Sequence, residues 1–272
     1  MSLVPRRLHR FARSVAELTR QATGAPALPR IVFLHIPKTA GSSVNTHFKR
    51  HLGSTWSGRA IGLNSAAGID PARLERARRA RFVFGHFGWR TLEAVRGDAF
   101  AFTVLRDPAA RIVSLYRFAR MRDLAAGSGF TPLMEAARGG GFAEFCRSDD
   151  PRVRLFIDNA QARTLAAGYL PQECGFQGGA EIVEAAQAHL RSLDFVAFTE
   201  SLDEDFTALA RQAHLPPPRV SLRRNASGGG GPAPAGLEEA RAILGERIAL
   251  DQALYDAARA LRQEHGRVRD PA

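Results

Sequence analysis

Apolar and polar positions follow two different periods along the chain. Ile31–His35 (IVFLH), Arg81–Gly85 (RFVFG), Asp98–Leu105 (DAFAFTVL) and Phe195–Thr199 (FVAFT) are short, nearly continuous apolar runs. That is the composition of strands buried on both faces of a parallel sheet. A weaker strand is expected near Ala60–Leu63. Helical patterns alternate with these runs at 43–52, Pro71–Ala80, 89–96, Pro108 to about Arg122, Asn159–Ala167 and Glu181–Leu193. Proline in the first turn marks two of these starts. A further helix, capped by Ser201 or Asp203, runs to about His214, and one long helix over about 237–263 closes the chain. Glycines 139–141 divide two short helical segments within the less regular stretch 124–158, which is placed to cover the active face. Residues 219–236 read as a flexible loop. The alternation predicts the α/β class, a three-layer α/β/α fold around a central, mostly parallel sheet.

Ligands of such sheets bind at the carboxyl ends of the strands. Three strand ends carry reactive residues: Lys38 after the first, His86 after the second and Arg106 after the third. The first end is the densest. Pro37, Lys38, Thr39, Ala40, Gly41, Ser42 and Ser43 form a small-residue loop before a helix that Ser42 or Ser43 can cap. Strand, tight loop and helix N-terminus together make a cradle for a phosphate or sulfate. It is not a Walker A loop, because Lys38 precedes Gly41 and no earlier glycine stands at the required spacing. Only two lysines occur in the chain, so a lysine in this loop points to the compact ammonium group.

Composition narrows the class without naming a partner. The 272 residues are 45% hydrophobic and 24% charged, as in a globular protein with a sizeable core. They divide into a leader and linker over 1–30, one domain over 31–265 and a tail over 266–272. The net charge of +11 calls for an anionic partner. The leader holds six arginines against one glutamate. Val4, Leu8, Phe11, Val15 and Leu18 recur there at helical spacing. Such a basic amphipathic helix lies on an anionic membrane surface or packs on the domain or a partner subunit. No run of 18 apolar residues occurs and no apolar segment follows the first arginines. A cytoplasmic location is therefore expected, with peripheral contact at the inner membrane surface open to the leader. Cys146 and Cys174 lack metal-ligand spacing and are expected to be free thiols, though a single disulfide is compatible with the sequence.

Arg106 and Ser114 belong to RDPAARIVSLYRF, a strand end running into a helix. A planar guanidinium there suits a phosphate. HIPKTAGSS followed by RDPAARIVSLYRF resembles the sulfotransferase superfamily, whose fold is related to that of P-loop NTPases and whose donor is 3′-phosphoadenosine 5′-phosphosulfate (PAPS). FLHIPKTAGSS, FVFGHFGW, DNAQARTLAAG, FVAFTESLDEDF and DQALYDAA resemble the carbohydrate branch that includes heparan sulfate 2-O- and 6-O-sulfotransferases and bacterial relatives. The resemblance spans roughly residues 31–260, with gaps at 53–75 and 120–150. It implies that Lys38, Thr39, Ala40, Gly41, Ser42 and Ser43 grip the 5′-phosphosulfate, and that Arg106 and Ser114 hold the 3′-phosphate. Arg224 and Asn225, in RRNASGGGG, correspond loosely to a late cofactor-binding loop. The implied product is 3′-phosphoadenosine 5′-phosphate (PAP), with no metal required.

The reaction moves a sulfuryl group to a hydroxyl of a carbohydrate or glycolipid acceptor. Lys38 is expected to neutralise the departing phosphate. His86 is the candidate general base, because histidine is poised for proton transfer near neutral pH. Gly85 and Gly88 beside it leave room for a substrate, and Glu200 or another carboxylate is the alternative base. His35 belongs to the loop motif and is expected to support it. Asn159, Gln161 and Arg163 share a polar edge of one helix and are candidates for touching cofactor or acceptor. Two rival readings are a P-loop-like nucleotide kinase and a basic protein that binds anionic membranes or nucleic acid. The first lacks the Walker A lysine position and an evident Mg²⁺ carboxylate. The second lacks any nucleic-acid-binding signature.

Overall fold

The structure is a computed structural model and describes residues 28–52, 60–64, 69–121, 130–168, 175, 178–216, 218 and 234–268. Five strands are present: β1 (Ile31–Leu34), β2 (Ala60–Asn64), β3 (Phe82–His86), β4 (Phe100–Leu105) and β5 (Phe195–Phe198). All neighbours pair in parallel, in the order β2-β3-β1-β4-β5. β1 is central, which explains its wholly buried apolar run.

The chain leaves β1 for β2 on one edge and leaves β4 for β5 on the other. The carboxyl ends of the adjacent pair β1 and β4 therefore flank the point where the strand order reverses, the usual ligand crevice of such sheets.

Alternate strand residues face opposite layers. Ile31, Phe33, Phe82, Phe102, Val104 and Ala197 pack beneath α1 (Gly41–Leu52) and the later helix Leu202–Gln212. Val32, Leu34, Val83, Ala101 and Leu105 pack against the other layer. That layer contains α2 (Pro71–Arg79), α3 (Trp89–Arg96) and, further on, Ala160–Ala166, Gly179–Ser192 and Ala249–Val268. The expected three-layer α/β/α arrangement is what the structure shows.

A third apolar cluster gathers α4 (Pro108–Met121), α5 (Thr131–Gly139), α6 (Phe142–Arg147) and α7 (Pro151–Ile157). The stretch expected as less regular, with two short helical segments, thus holds three helices that share a core with α4. The remaining helices are α8 (Ala160–Ala166), α9 (Gly179–Ser192), α10 (Leu202–Gln212), α11 (Leu237–Arg247) and α12 (Ala249–Val268).

Several details differ from expectation. The closing helix is two helices, broken at Ile248. The break has a partner: the Asn159 side-chain oxygen accepts from the amides of Leu250 (2.9 Å) and Asp251 (3.2 Å), capping α12 from another part of the chain. Helix α1 begins at Gly41, so Ser42 and Ser43 lie inside its first turn. Ser201 precedes α10 without a capping bond and instead donates to Asp205 at 2.9 Å.

Arg30 sits at the boundary expected between leader and domain. Its guanidinium donates to the carbonyls of Ala80 (3.0 Å), Arg96 (2.7 Å), Ala77 (3.2 Å) and Val95, closing the C-terminal ends of α2 and α3. Leu28 packs on the core below α1. The first strand is therefore anchored by residues that precede it.

Candidate active site

The loop after β1 is built by strain and by one absent side chain. Lys38 (φ 73°) and Ala40 (φ 63°) are left-handed, with Thr39 between them outside that region. This costs a side-chain-bearing residue about 1–2 kcal/mol, and such strain concentrates at ligand sites. Alternation of hand also turns successive amides inward, the arrangement of anion-binding backbone nests.

Thr39 is fully buried, and its hydroxyl donates to the Ile36 carbonyl at 2.9 Å. The Thr39 amide points to the same carbonyl at 3.4 Å, and the Ser43 amide donates to Ala40 O at 3.0 Å. Two of the five amides expected to hold the donor are thus engaged inside the loop. The amides of Ala40, Gly41 and Ser42 have no backbone acceptor among the described residues. No acidic residue stands in the first turn of α1 to repel an anion.

Gly41 is required by contact. A Cβ there would lie 1.7 Å from His35 Nε2, so the imidazole occupies the space that any other residue would fill. His35 stacks on Phe33 (ring centroids 5.2 Å apart) and meets His86 at 4.4 Å. Burial, then His86, then Lys38 hold His35 well below the usual histidine value.

His86 ends β3, as expected. Its Nδ1 lies 3.0 Å from the His35 carbonyl oxygen, which can only accept, so Nδ1 carries the proton and Nε2 is the basic nitrogen. Burial lowers His86 while the bond to His35 opposes it, so the ring is neutral at physiological pH. Gly85, expected to leave room for substrate, serves the sheet instead. At φ 144° its missing Cβ admits the Leu63 carbonyl of β2, which such an atom would approach to 1.9 Å.

Arg106 follows β4, and its Nη1 donates to the Lys38 carbonyl at 3.2 Å. The two strand ends beside the crevice are thereby joined. Asp107 accepts from the Ala110 amide at 2.8 Å and caps α4, with Pro108 in the first turn. Ser114 is half-buried two turns along that helix. Arg117, one turn further, lies near enough to depress Arg106, although burial is the larger cause. Clustered guanidinium groups of this kind suit a phosphate. The Lys38 ammonium rests over the Phe118 ring, 4.1 Å from its centroid. Arg117 and Phe118 were not assigned from sequence; their spacing of three and four residues from Ser114 was the available signal.

Gln161, Asn159 and Arg163 do not share an exposed edge. Gln161 is fully buried, and its amide pairs with both backbone groups of Arg106, accepting from its N–H at 3.0 Å and donating to its carbonyl at 2.9 Å. It fixes where Arg106 leaves the strand. Asn159 caps α12, while Arg163 donates to the carbonyls of Asp158 (2.9 Å) and Leu155 (2.7 Å). Glu200 accepts from the Asp107 amide at 3.0 Å and bonds Tyr255, whose hydroxyl is pushed up to about 12, burial being the larger cause. That carboxylate braces the start of α4.

Arg224, Asn225, Cys174 and the leader helix lie outside the described residues. Cys146 is a free, buried thiol pushed up to about 12 by burial. Among the described residues no three His, Cys, Asp or Glu side chains gather as a metal site, and no helix is long and apolar enough to cross a membrane. In a comparison with protein families, the model of the sulfotransferase family matches residues 28–227. No curated protein matches the chain.

Proposed function

Because the chain belongs to the sulfotransferase family, we propose that it transfers the sulfuryl group of PAPS to a hydroxyl of a carbohydrate or glycoconjugate acceptor. The acceptor oxygen attacks sulfur as the bond from sulfur to the bridging phosphate oxygen breaks. The hydroxyl proton passes to His86 Nε2, and PAP leaves with the negative charge. As in phosphoryl transfer, the protein's part is positioning and charge stabilisation.

The amides of Ala40, Gly41 and Ser42 receive the 5′-phosphosulfate, and Lys38 neutralises the leaving oxygen. Lys38 must swing from its resting place over Phe118 to do so. Arg106 and Ser114, with Arg117 beside them, take the 3′-phosphate that distinguishes PAPS from ATP. Arg224 and Asn225 are further candidates for that end. The leader's excess of positive charge supports peripheral contact with an anionic membrane surface from the cytoplasmic side.

One observation carries the reading: Arg106 Nη1 meets the Lys38 carbonyl at the reversal of strand order. The two anion-binding ends are thus held at a fixed separation, as a nucleotide with two charged ends requires. Thermal unfolding with PAP, ATP or ADP tests it. A ligand at a hundred times its Kd adds about 2.7 kcal/mol to stability. PAP should raise the midpoint, and stabilisation by ATP with none by PAP would sink the assignment in favour of a nucleotide kinase.

A further inference from the structure

Arg106 stands beyond the last paired residues of both strands that flank β4. On one side the pairing ends with Leu34 of β1 opposite Thr103, on the other with Phe198 of β5 opposite Leu105. Neither the amide nor the carbonyl of Arg106 has a backbone partner among the described residues. Three side chains take over where the sheet stops. The peptide unit joining Leu105 to Arg106 is held at its oxygen by Thr199 Oγ1, which donates at 3.2 Å, and at its N–H by Gln161 Oε1 at 3.0 Å. The unit joining Arg106 to Asp107 is held at its oxygen by Gln161 Nε2 at 2.9 Å and at its N–H by Glu200 Oε1 at 3.0 Å. A peptide unit is planar, so fixing the units on both sides of one Cα fixes φ and ψ there, and with them the direction of the side chain. Arg106 is therefore aimed from α8 and from the turn after β5, not by the sheet.

Gln161 is central because it serves both peptide units. Its amide carries an acceptor and a donor on one terminal group, the pair that a neighbouring strand would have offered. A glutamate lacks the donor, and an asparagine is one methylene short. The side chain is fully buried, and its own place is fixed by a closed ring of contacts. The Asp251 carboxylate accepts from the Ala162 amide at 2.8 Å and from the Gln161 main-chain amide. Arg111 Nη2 lies 3.5 Å from the same carboxylate. Arg111 belongs to α4, five residues after Arg106, so the ring returns to the segment that Gln161 aims.

We propose that Gln161, with Thr199 and Glu200, positions Arg106 for the 3′-phosphate and so sets the protein's preference for a 3′-phosphorylated nucleotide. The inference rests on the sulfotransferase reading with Arg106 at that phosphate. The three residues act through the Arg106 backbone, and the guanidinium makes the contact. Its Nη1 on the Lys38 carbonyl fixes the reach of the side chain as the three fix its direction. A guanidinium held this way has less freedom to lose on binding, which is where a positioning residue adds affinity.

The test is isothermal titration calorimetry with PAP and with adenosine 5′-phosphate, which differ only by the 3′-phosphate. The readout is the ratio of the two Kd values. The wild-type protein should prefer PAP by at least about ten-fold, the scale of a hydrogen bond to a charged group. Gln161→Met keeps the length and removes the amide. It should bring the ratio to within about three-fold while adenosine 5′-phosphate binds within about two-fold of its wild-type affinity. Arg106→Ala should abolish the preference, and adding Gln161→Met to it should change the ratio no further. A preference kept in Gln161→Met, equal weakening of both nucleotides, or the same fall with and without Arg106 overturns the proposal and leaves Gln161 a core residue. Should Gln161→Met fail to fold, Thr199→Val carries the test. It removes one hydroxyl at constant shape and should lower the ratio by about three-fold; an unchanged ratio overturns the proposal. A wild-type ratio near one, or a ratio that Arg106→Ala leaves intact, overturns the donor reading itself, so the two failures are told apart.

Discussion

Two polar regions of the molecule are opposite in design. In the loop between His35 and Ser43, the amides of Ala40, Gly41 and Ser42 have no backbone acceptor among the described residues, and two side-chain-bearing residues are held at positive φ. Elsewhere, Arg111 and Asp251 are both fully buried, 3.5 Å apart; Arg111 Nη1 and Nη2 and Asp251 Oδ1 are hydrogen-bonded inside the protein, while Arg111 Nε and Asp251 Oδ2 rest on the ion pair alone. Arg111 donates to the carbonyls of Phe156 (3.0 Å) and Ile157 (3.3 Å). Asp251 accepts from the Ala162 amide at 2.8 Å, so it caps α8 while Asn159 caps α12 in return. The first region leaves backbone donors unengaged, as the proposed donor grip requires. The second uses most of its capacity to tie α4, α8 and α12 together. RDPAAR contributes one arginine to each: Arg106 to the crevice, Arg111 to the interior.

The contrast breaks most visibly through two substitutions. Lys38→Ala should lower the transfer rate by about 10³-fold, the scale seen when one transition-state charge stabiliser is removed. It should leave stability within about 0.5 kcal/mol, as for a surface change. Sulfate incorporation and chemical denaturation measure the two. Arg111→Met should do the reverse. Removing one partner strands a buried carboxylate, at about 3–5 kcal/mol. The double variant Arg111→Met, Asp251→Leu should regain much of that loss, because an apolar pair replaces the ionic one. If Arg111→Met were stable and inactive, the division between the two regions would be wrong.

That division is also where the sequence stops being legible. The strands were readable because β1, β3, β4 and β5 are apolar runs too short for helices and rich in β-branched and aromatic residues, the composition of strands buried on both faces. The placement of Lys38, His86 and Arg106 at or just after strand ends was readable because it follows from the strands themselves. The roles of Gln161, Asn159 and Arg163 were not. Polar residues at short spacing look alike whether they meet solvent, a ligand or a distant backbone. Gln161 reaches Arg106 across 55 positions and Asn159 reaches Leu250 across 91. Nothing local encodes such pairings. The break at Ile248 was hidden for the same reason, since the cap that permits it comes from Asn159.

A smaller effect sharpens the loop's side of the comparison. Gly41→Ala places a methyl group where His35 stands, and neither the loop nor the stacked rings of Phe33, His35 and His86 can move freely. Overpacking of this kind costs about 1–3 kcal/mol. Because the His35 carbonyl holds His86 Nδ1, the variant should also lose transfer rate beyond its loss of PAP affinity. Pairing Gly41→Ala with His35→Ala should recover part of the stability, giving a coupling energy of about 0.5–3 kcal/mol in a double-mutant cycle. Strict additivity would mean that the contact is not what makes glycine necessary.

The smallest expected effect is in the pH dependence, and its sign follows from the histidines. His35 and His86 both sit below the ordinary histidine value of about 6.5 when folded. Between the folded and unfolded values the unfolded chain binds more protons, so stability rises with pH through that window. Acidification from about pH 6.5 should therefore cost up to 1.36 kcal/mol for each unit by which a histidine is depressed. Replacing His35 by Phe keeps a ring stacked on Phe33 and removes one titrating group, so it should flatten the acid limb of the unfolding temperature. The rate should respond differently. If His86 is the base, kcat/KM rises through an apparent value below about 6.5 and is level at neutral pH in both proteins. A His35→Phe protein with an unchanged acid limb in stability would place the depressed proton on other groups. One whose rate limb moves upward would show that His35 tunes the base as well as packing on Gly41.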